Sequence, residues 1–201
     1  VLLLEAGPSD ASPLIQVPAG VIKLMGHPVY DWNYLSVAEE GIAGRQTRLP
    51  RGRVIGGTSA TNGMNYVRGL ASDYDRWAAA GCSGWSYADV LPFFKSLETF
   101  DGGDERWRGR EGPMKVEPYR TVLPITDRFV EGVQRAGFAL MPDLNGEAKE
   151  GVGHSQMSRR GRWRQSSAVF LAAARGRALR VETGVRVTRL SFEGRRCTGV
   201  H

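Results

Sequence analysis

The sequence predicts an α/β fold, a buried parallel sheet interrupted by α+β insertions. Three observations carry that reading. The chain opens on Val1–Gly7, VLLLEAG, an uninterrupted apolar run closed by an acid and a glycine, as in a parallel strand buried on both faces. Pro50–Gly69, PRGRVIGGTSATNGMNYVRG, places Val54 and Ile55 before a glycine pair and several small hydroxyl residues. Beyond it, helical spacing alternates with short extended stretches.

Taken in order, the first strand ends on Glu5. In a dinucleotide-binding fold the acid closing the second strand accepts hydrogen bonds from ribose hydroxyls. The glycine fingerprint that belongs about twenty residues before such an acid is not in this sequence. Pro8–Pro50 is punctuated by Pro, Gly and Asp, with short helical turns over Pro13–Val17 and Gly20–Met25 and a strand over Asp31–Tyr34. His27, alone beside a proline, reads as a surface residue.

The glycine loop is the chemical centre. Gly56 and Gly57 lack a Cβ, so they can take positive φ and let a ligand approach the backbone. Thr58, Ser59 and Thr61 supply hydroxyls, exposed N–H groups can form an anion-binding nest, and Asn62 and Asn65 supply amides for a polar heterocycle. A surface turn has the same composition. No Lys-Ser or Lys-Thr follows the glycines, which excludes a P-loop, and the spacing is not GxGxxG.

After the loop, Asp73 is placed to cap a helix through Tyr74, Trp77 and Ala78. Cys82-Ser83-Gly84 breaks it, and Ser86 or Tyr87 starts a second helix with Val90, Leu91, Phe93, Phe94 and Leu97 as core residues. Asp101–Gly112 is a polar loop and Pro113–Val116 a short strand. Ile125–Ala136 is an amphipathic helix, with Phe129, Val130 and Val133 on one face and Gly137 placed to end it. Asp143–Gly153 is a turn-rich loop, and His154 lacks partners at metal-ligand spacing. Ser158–Arg164 sets four arginines around Trp163. That pattern suits a solvated turn better than a nucleic-acid patch. Ser166–Ala174 is helical, and Leu179–Glu182 and Arg186–Phe192 are strands around Thr183-Gly184.

Composition bounds the rest. The 201 residues are 41% hydrophobic and 24% charged, the balance of a globular protein. No apolar run is long enough to span a membrane, and no basic-then-apolar leader opens the chain. A formal charge of +6 permits attraction to anions without requiring it. Cys82 and Cys197, far apart and without CxxC spacing, read as reduced thiols, and the compartment as cytoplasmic. No metal site is expected. The chain starts and stops within strand-like patterns, which reads as an internal piece of a longer protein.

The glycine loop resembles the first signature of the glucose–methanol–choline (GMC) flavoprotein oxidoreductases. Gly52, Arg53, Ile55, Gly56, Gly57, Thr58, Ser59, Asn62, Tyr66, Gly69 and Asp75 match it, and the likeness extends along essentially the whole chain. It implies a partial FAD/NAD(P)-binding Rossmann-like domain with α+β insertions. By the resemblance, residues 1–70 form a cofactor segment with a lid, 71–150 a helical extension toward the substrate domain, and 151–201 the return to the FAD-binding domain. The cofactor implied is FAD. Thr61 stands where some members carry a His bonded to the flavin, so non-covalent binding is expected.

The resemblance assigns Glu5 to ribose, with Arg53 and Gly56 in the cofactor signature. Gly57, Thr58 and Ser59 go to the pyrophosphate and ribityl chain, Asn62, Gly63, Met64 and Asn65 to the isoalloxazine edge, and the backbone of Val187 to the adenine end. The implied reaction is oxidation of a small-molecule alcohol by hydride transfer to flavin. No residue matches the family's catalytic His, so no catalytic residue is assigned, and the chain alone is expected to be inactive without the N- and C-terminal parts of the same protein. No nucleic-acid partner is expected. The competing reading is a non-catalytic basic interaction or nucleic-acid-binding module.

Overall fold

The computed structural model describes residues 1–147, 150–174 and 178–201. Residues 148–149, within the expected Asp143–Gly153 loop, lie outside them. Two compact units result: Val1–Gly63 together with Arg162–His201, and Met64–Gly161. The sequence-based limits at 70 and 150 both fall inside the second unit.

In chain order the first unit begins with β1 (Leu2–Glu5), α1 (Pro13–Gln16), α2 (Val21–Leu24), β2 (Tyr34–Leu35) and β3 (Arg48–Leu49). The second holds α3 (Ala71–Ala79), α4 (Tyr87–Leu97), β4 (Glu98–Phe100), β5 (Met114–Pro118), α5 (Pro124–Arg135) and β6 (Gln156–Arg160). The chain returns to the first unit through β7 (Trp163–Arg164), α6 (Ala168–Ala173), β8 (Arg180–Thr183), β9 (Leu190–Glu193) and β10 (Arg196–Val200).

In the first unit β1 runs parallel to β8, with Leu3 opposite Val181 and Glu5 opposite Thr183. The junction continues past the strands, because Val185 N–H donates to Glu5 O at 3.0 Å and Gly184 N–H to Gly7 O at 3.1 Å. Ile15, Leu24, Val54 and Ala60 make the core, with Leu14 and Tyr30 packed against it. Ser12 Oγ caps α1 by accepting from Leu14 N–H, and Pro13 fills the first helical position, where its missing N–H costs nothing.

Two expected strands are shorter than the pattern suggests. Within Asp31–Tyr34, Asn33 takes φ 55° and interrupts the strand, so Asp31 makes an isolated antiparallel bridge with Gly52 and Tyr34–Leu35 pairs antiparallel to β3. Asp31 turns inward and organises the segment. Its carboxylate accepts from Gly26 N–H at 2.7 Å, Asn33 N–H at 2.9 Å and Arg51 N–H at 3.1 Å. Similarly, Arg186–Phe192 is extended only from Leu190, and Val187 lies in the connection after Gly184. Cys82 and Cys197 are free and exposed.

In the second unit, Asp73 is the third residue of α3 rather than its cap, and it accepts from Leu70 N–H at 3.0 Å. Ser86 caps α4 as expected, with Asp89 closing the reciprocal bond. The expected core face of α4 is only partly covered. Val90, Leu91 and Phe94 are half-buried, whereas Phe93 is 69% exposed. Likewise Val130 of α5 is buried and Phe129 exposed, and Gly137 ends that helix with φ 98°. Parallel β4–β5 and antiparallel β5–β6 build the sheet.

The second unit is centred on charge. Glu98 and the side chain of Arg108 are fully buried, and Arg108 comes from the loop expected to be merely polar. Arg68 Nη2 joins Glu98 at 2.8 Å, and Arg108 Nη1 reaches Asp143 and Gln156, each at 2.7 Å. Asn145 completes the network by donating to Tyr66 O and to Gln156 Oε1, each at 2.9 Å, and accepting from Arg68 N–H at 2.8 Å. Buried charges are tolerated when every neighbour compensates them.

Candidate cofactor site

The glycine loop is bolted down at both ends by core residues, Val54 and Ala60, each with 0% exposure. Between them the backbone must reverse. Gly56 takes φ 89° and Gly57 φ 54°, after which Gly57–Ala60 forms a single 3₁₀ turn. Gly57 N–H donates to Val54 O at 2.7 Å, which closes the reversal. A Cβ on Gly57 would meet nothing within 4 Å, and the same holds for Gly63. Both glycines thus face open space, the opening a bound group would use.

The donors beside that space are specific. A 3₁₀ turn leaves its first N–H groups without internal partners, and that of Thr58 has none among the described residues. Thr58 Oγ1 accepts from Gly52 N–H at 3.1 Å. Ser59 is spent on the loop itself: its hydroxyl donates to Gly56 O at 2.5 Å and accepts from Ser167 N–H at 2.9 Å. Ser167 Oγ also reaches Gly56 O at 3.2 Å. The segment after β7 therefore fastens the loop, a contact absent from the sequence reading.

Glu5 sits at the carboxyl end of the parallel pair, where open α/β sheets bind ligands. One of its oxygens accepts from Gly7 N–H at 2.7 Å, which aims the carboxylate and leaves the other oxygen for a ligand. β1 passes close beneath the loop, since a Cβ on Gly7 would stand 2.0 Å from Arg53 O. Arg53 itself is turned to the Pro28–Trp32 segment. It donates from Nε to Val29 O at 3.1 Å and from Nη2 to Pro28 O at 3.0 Å, and lies over Trp32. Val187 is 40% exposed, and its backbone N–H and C=O have no partner among the described residues.

Asn62 and Gly63 close the first unit, both exposed, while Met64 and Asn65 open the second. Met64 is buried with φ 63°, an uncommon conformation for a long side chain. It is held there by Ser158 N–H, which donates to Met64 O at 3.0 Å, and Tyr66 N–H donates to Gln156 O at 2.8 Å. Asn65 faces a cavity of about 340 Å³ in the second unit, lined also by Tyr119, Leu123, Phe129 and His154.

The histidines have local partners. His27 stacks on Tyr30, His154 Nε2 lies 3.4 Å from Asp127, and His201 Nε2 lies 2.7 Å from Ser191 Oγ. Among the described residues no group of His, Cys, Asp and Glu could hold a metal ion, and no helix is long and apolar enough to cross a membrane.

The parallel pair ending in Glu5, with the glycine reversal between core anchors, is a Rossmann-like α/β arrangement. The sequence model of the GMC oxidoreductase family matches residues 15–201. The chain belongs to that family, and its fold is that of the family's FAD-binding domain. It is 42% identical over its whole length to an oxygen-dependent choline dehydrogenase of Rhizobium johnstonii, and spans 37% of that protein. Among solved structures, pyridoxine 4-oxidase from Mesorbium loti superposes with a TM-score of 0.93 at 34% identity, covering all of this chain and 40% of the other. An FAD-dependent oxidoreductase from Chaetomium thermophilum gives a TM-score of 0.86 at 27% identity over 100% of this chain and 37% of the other. The chain thus spans little more than a third of the curated relatives it matches.

Proposed function

We propose that this chain is the cofactor-holding part of an FAD-dependent oxidoreductase acting on a small-molecule alcohol. One observation carries the reading. The Gly56–Gly57 reversal leaves the N–H group of Thr58 and the open face of Gly57 free for a bound group, in the unit whose parallel strand ends at Glu5. That donor set suits the pyrophosphate and ribose of a dinucleotide.

In this reading Glu5 accepts from a ribose hydroxyl. Thr58 donates its N–H group to a pyrophosphate oxygen with Ser59 beside it, while Gly57 keeps the approach clear of a side chain and Gly56 makes room for Ser166 behind the loop. Arg53 holds the lid over Trp32, and the free backbone of Val187 serves the adenine. Asn62, Gly63, Met64 and Asn65 supply backbone and amide groups to the isoalloxazine edge. Bound FAD supplies the acceptor for a hydride from the alcohol carbon. Thr61 offers no ring nitrogen for a covalent flavin bond, so binding is non-covalent. The proton acceptor is assigned to no residue of this chain.

The relatives' names point to small alcohols, since choline and pyridoxine both carry hydroxyl groups. The cavity beside Asn65, with its apolar wall of Leu123 and Phe129, supports a compact organic substrate. The rival nucleic-acid reading loses its arginine cluster. Arg164 is 5% exposed and bonded within the first unit, and Arg159 Nε lies 3.4 Å from Glu117.

Titration of the purified protein with FAD, followed by quenching of flavin fluorescence, tests the proposal. Saturable binding that NAD does not displace is the expected outcome. Folded protein that binds no FAD overturns it.

A further inference from the structure

We infer that Arg164 is a positioning residue, whose guanidinium holds the Asn62 corner of the glycine loop in its cofactor-binding shape. The inference rests on the FAD reading above.

Arg164 Nη1 donates to Asn62 O at 2.6 Å and approaches Asn62 Oδ1 at 3.3 Å, while Nε donates to Ile15 O at 3.0 Å. Ile15 is 1% exposed and part of the core, so its carbonyl is a fixed point. One planar group thus ties the Asn62 end of the loop to the core. Only a guanidinium can do so, since its donors leave in fixed, divergent directions, whereas an ammonium is a single point.

The arrangement is expensive for packing alone. Burial lowers the Arg164 pKa, and among the described residues no carboxylate forms an ion pair with it and Nη2 is buried without a hydrogen-bond partner. A buried charge compensated only by carbonyl oxygens loses more hydration than an apolar residue would. Retaining arginine here is explained by what it holds. Within the turn itself, Thr61 and Asn62 N–H both donate to Thr58 O. Three residues after Arg164, Ser167 bonds to Gly56 and Ser59 at the opposite end of the loop, and Ser166 packs against Gly56. The segment Arg164–Ser167 is a cradle on which the whole loop is shaped.

Arg164→Lys and Arg164→Met, made in the purified protein, test this with two readings. Hydrogen–deuterium exchange without cofactor is followed in peptides covering residues 56–65, and FAD affinity by fluorescence titration. In Arg164→Lys the loop amides are expected to exchange about tenfold faster while the melting temperature stays near the parent's, and FAD affinity falls about tenfold, as for loss of one charge-assisted bond. In Arg164→Met the affinity loss is larger. A folded variant that leaves loop exchange and FAD affinity within about twofold of the parent overturns the inference. Faster loop exchange in a protein whose parent binds no FAD overturns the cofactor reading instead, and leaves the anchoring of the loop standing.

Discussion

Glu98 and Arg108 form a two-point ion pair, Nε to Oε1 at 2.7 Å and Nη2 to Oε2 at 3.2 Å, with neither side chain exposed. Arg68 shares Oε1 at 2.8 Å, and Gly109 N–H donates to the same oxygen at 2.9 Å. Removing the carboxylate therefore leaves Arg68 without its ion-pair partner and Arg108 with Asp143 alone, both in a buried centre. Glu98→Ala is expected to destabilise the second unit by about 3–5 kcal/mol, the range for breaking one half of a buried pair. Urea denaturation checks it. A loss under about 1 kcal/mol would mean that water already enters this centre.

Asp31 is expected to make the segment from Gly26 to Arg51 acid-sensitive. Burial by itself raises the pKa of its carboxyl, but N–H donors from Asn33, Gly26 and Arg51 outweigh that and hold it below the usual value. With the folded pKa depressed, the stabilisation is complete above the unfolded value of about 3.9 and is lost as pH falls through the folded value. Asp31→Asn removes the charge and faces an amide NH₂ toward N–H donors, at a cost of about 2 kcal/mol. Melting curves of both proteins from pH 6 downward would converge as pH falls through the folded value if this is right.

Tyr66 is expected to titrate apart from the other tyrosines. Burial pushes its phenol up to about 12, and the nearby Glu98 charge adds to the shift. An alkaline titration at 295 nm should show one of the six tyrosines ionising late, and that step should vanish in Tyr66→Phe. The unfolded chain ionises near pH 10, so this group's contribution is full below that pH and falls as pH rises toward 12.

Two glycine substitutions should separate stability from binding. Gly7→Ala places a methyl 2.0 Å from Arg53 O, a backbone atom that cannot step aside, and is expected to cost about 3 kcal/mol. Gly57→Ala meets no atom within 4 Å, so its cost is the left-handed φ of 54°, about 1 kcal/mol. Its methyl nonetheless projects into the open face, so FAD affinity should fall more than stability does. Thermal melts and fluorescence titration of both variants distinguish the two effects.

The sequence alone was enough for everything encoded locally. Glycines that must take positive φ at 56 and 57, an apolar run ending in Glu5, and a serine capping α4 are each decided within a few residues. The signature from Gly52 to Asp75 sufficed to identify the family. What the tertiary structure decided were the partners of polar groups far apart in the chain. Arg164, one of four arginines in an apparent surface cluster, turns inward to Asn62 and Ile15. Arg108 leaves a polar loop to meet Glu98, and Ser59 spends its hydroxyl on the loop rather than offering it outward. Charge and hydroxyl content look alike in a sequence whether solvated or buried. Only the folded chain determines which carbonyl or carboxylate stands within hydrogen-bond reach, because burial makes that choice costly to leave unmade.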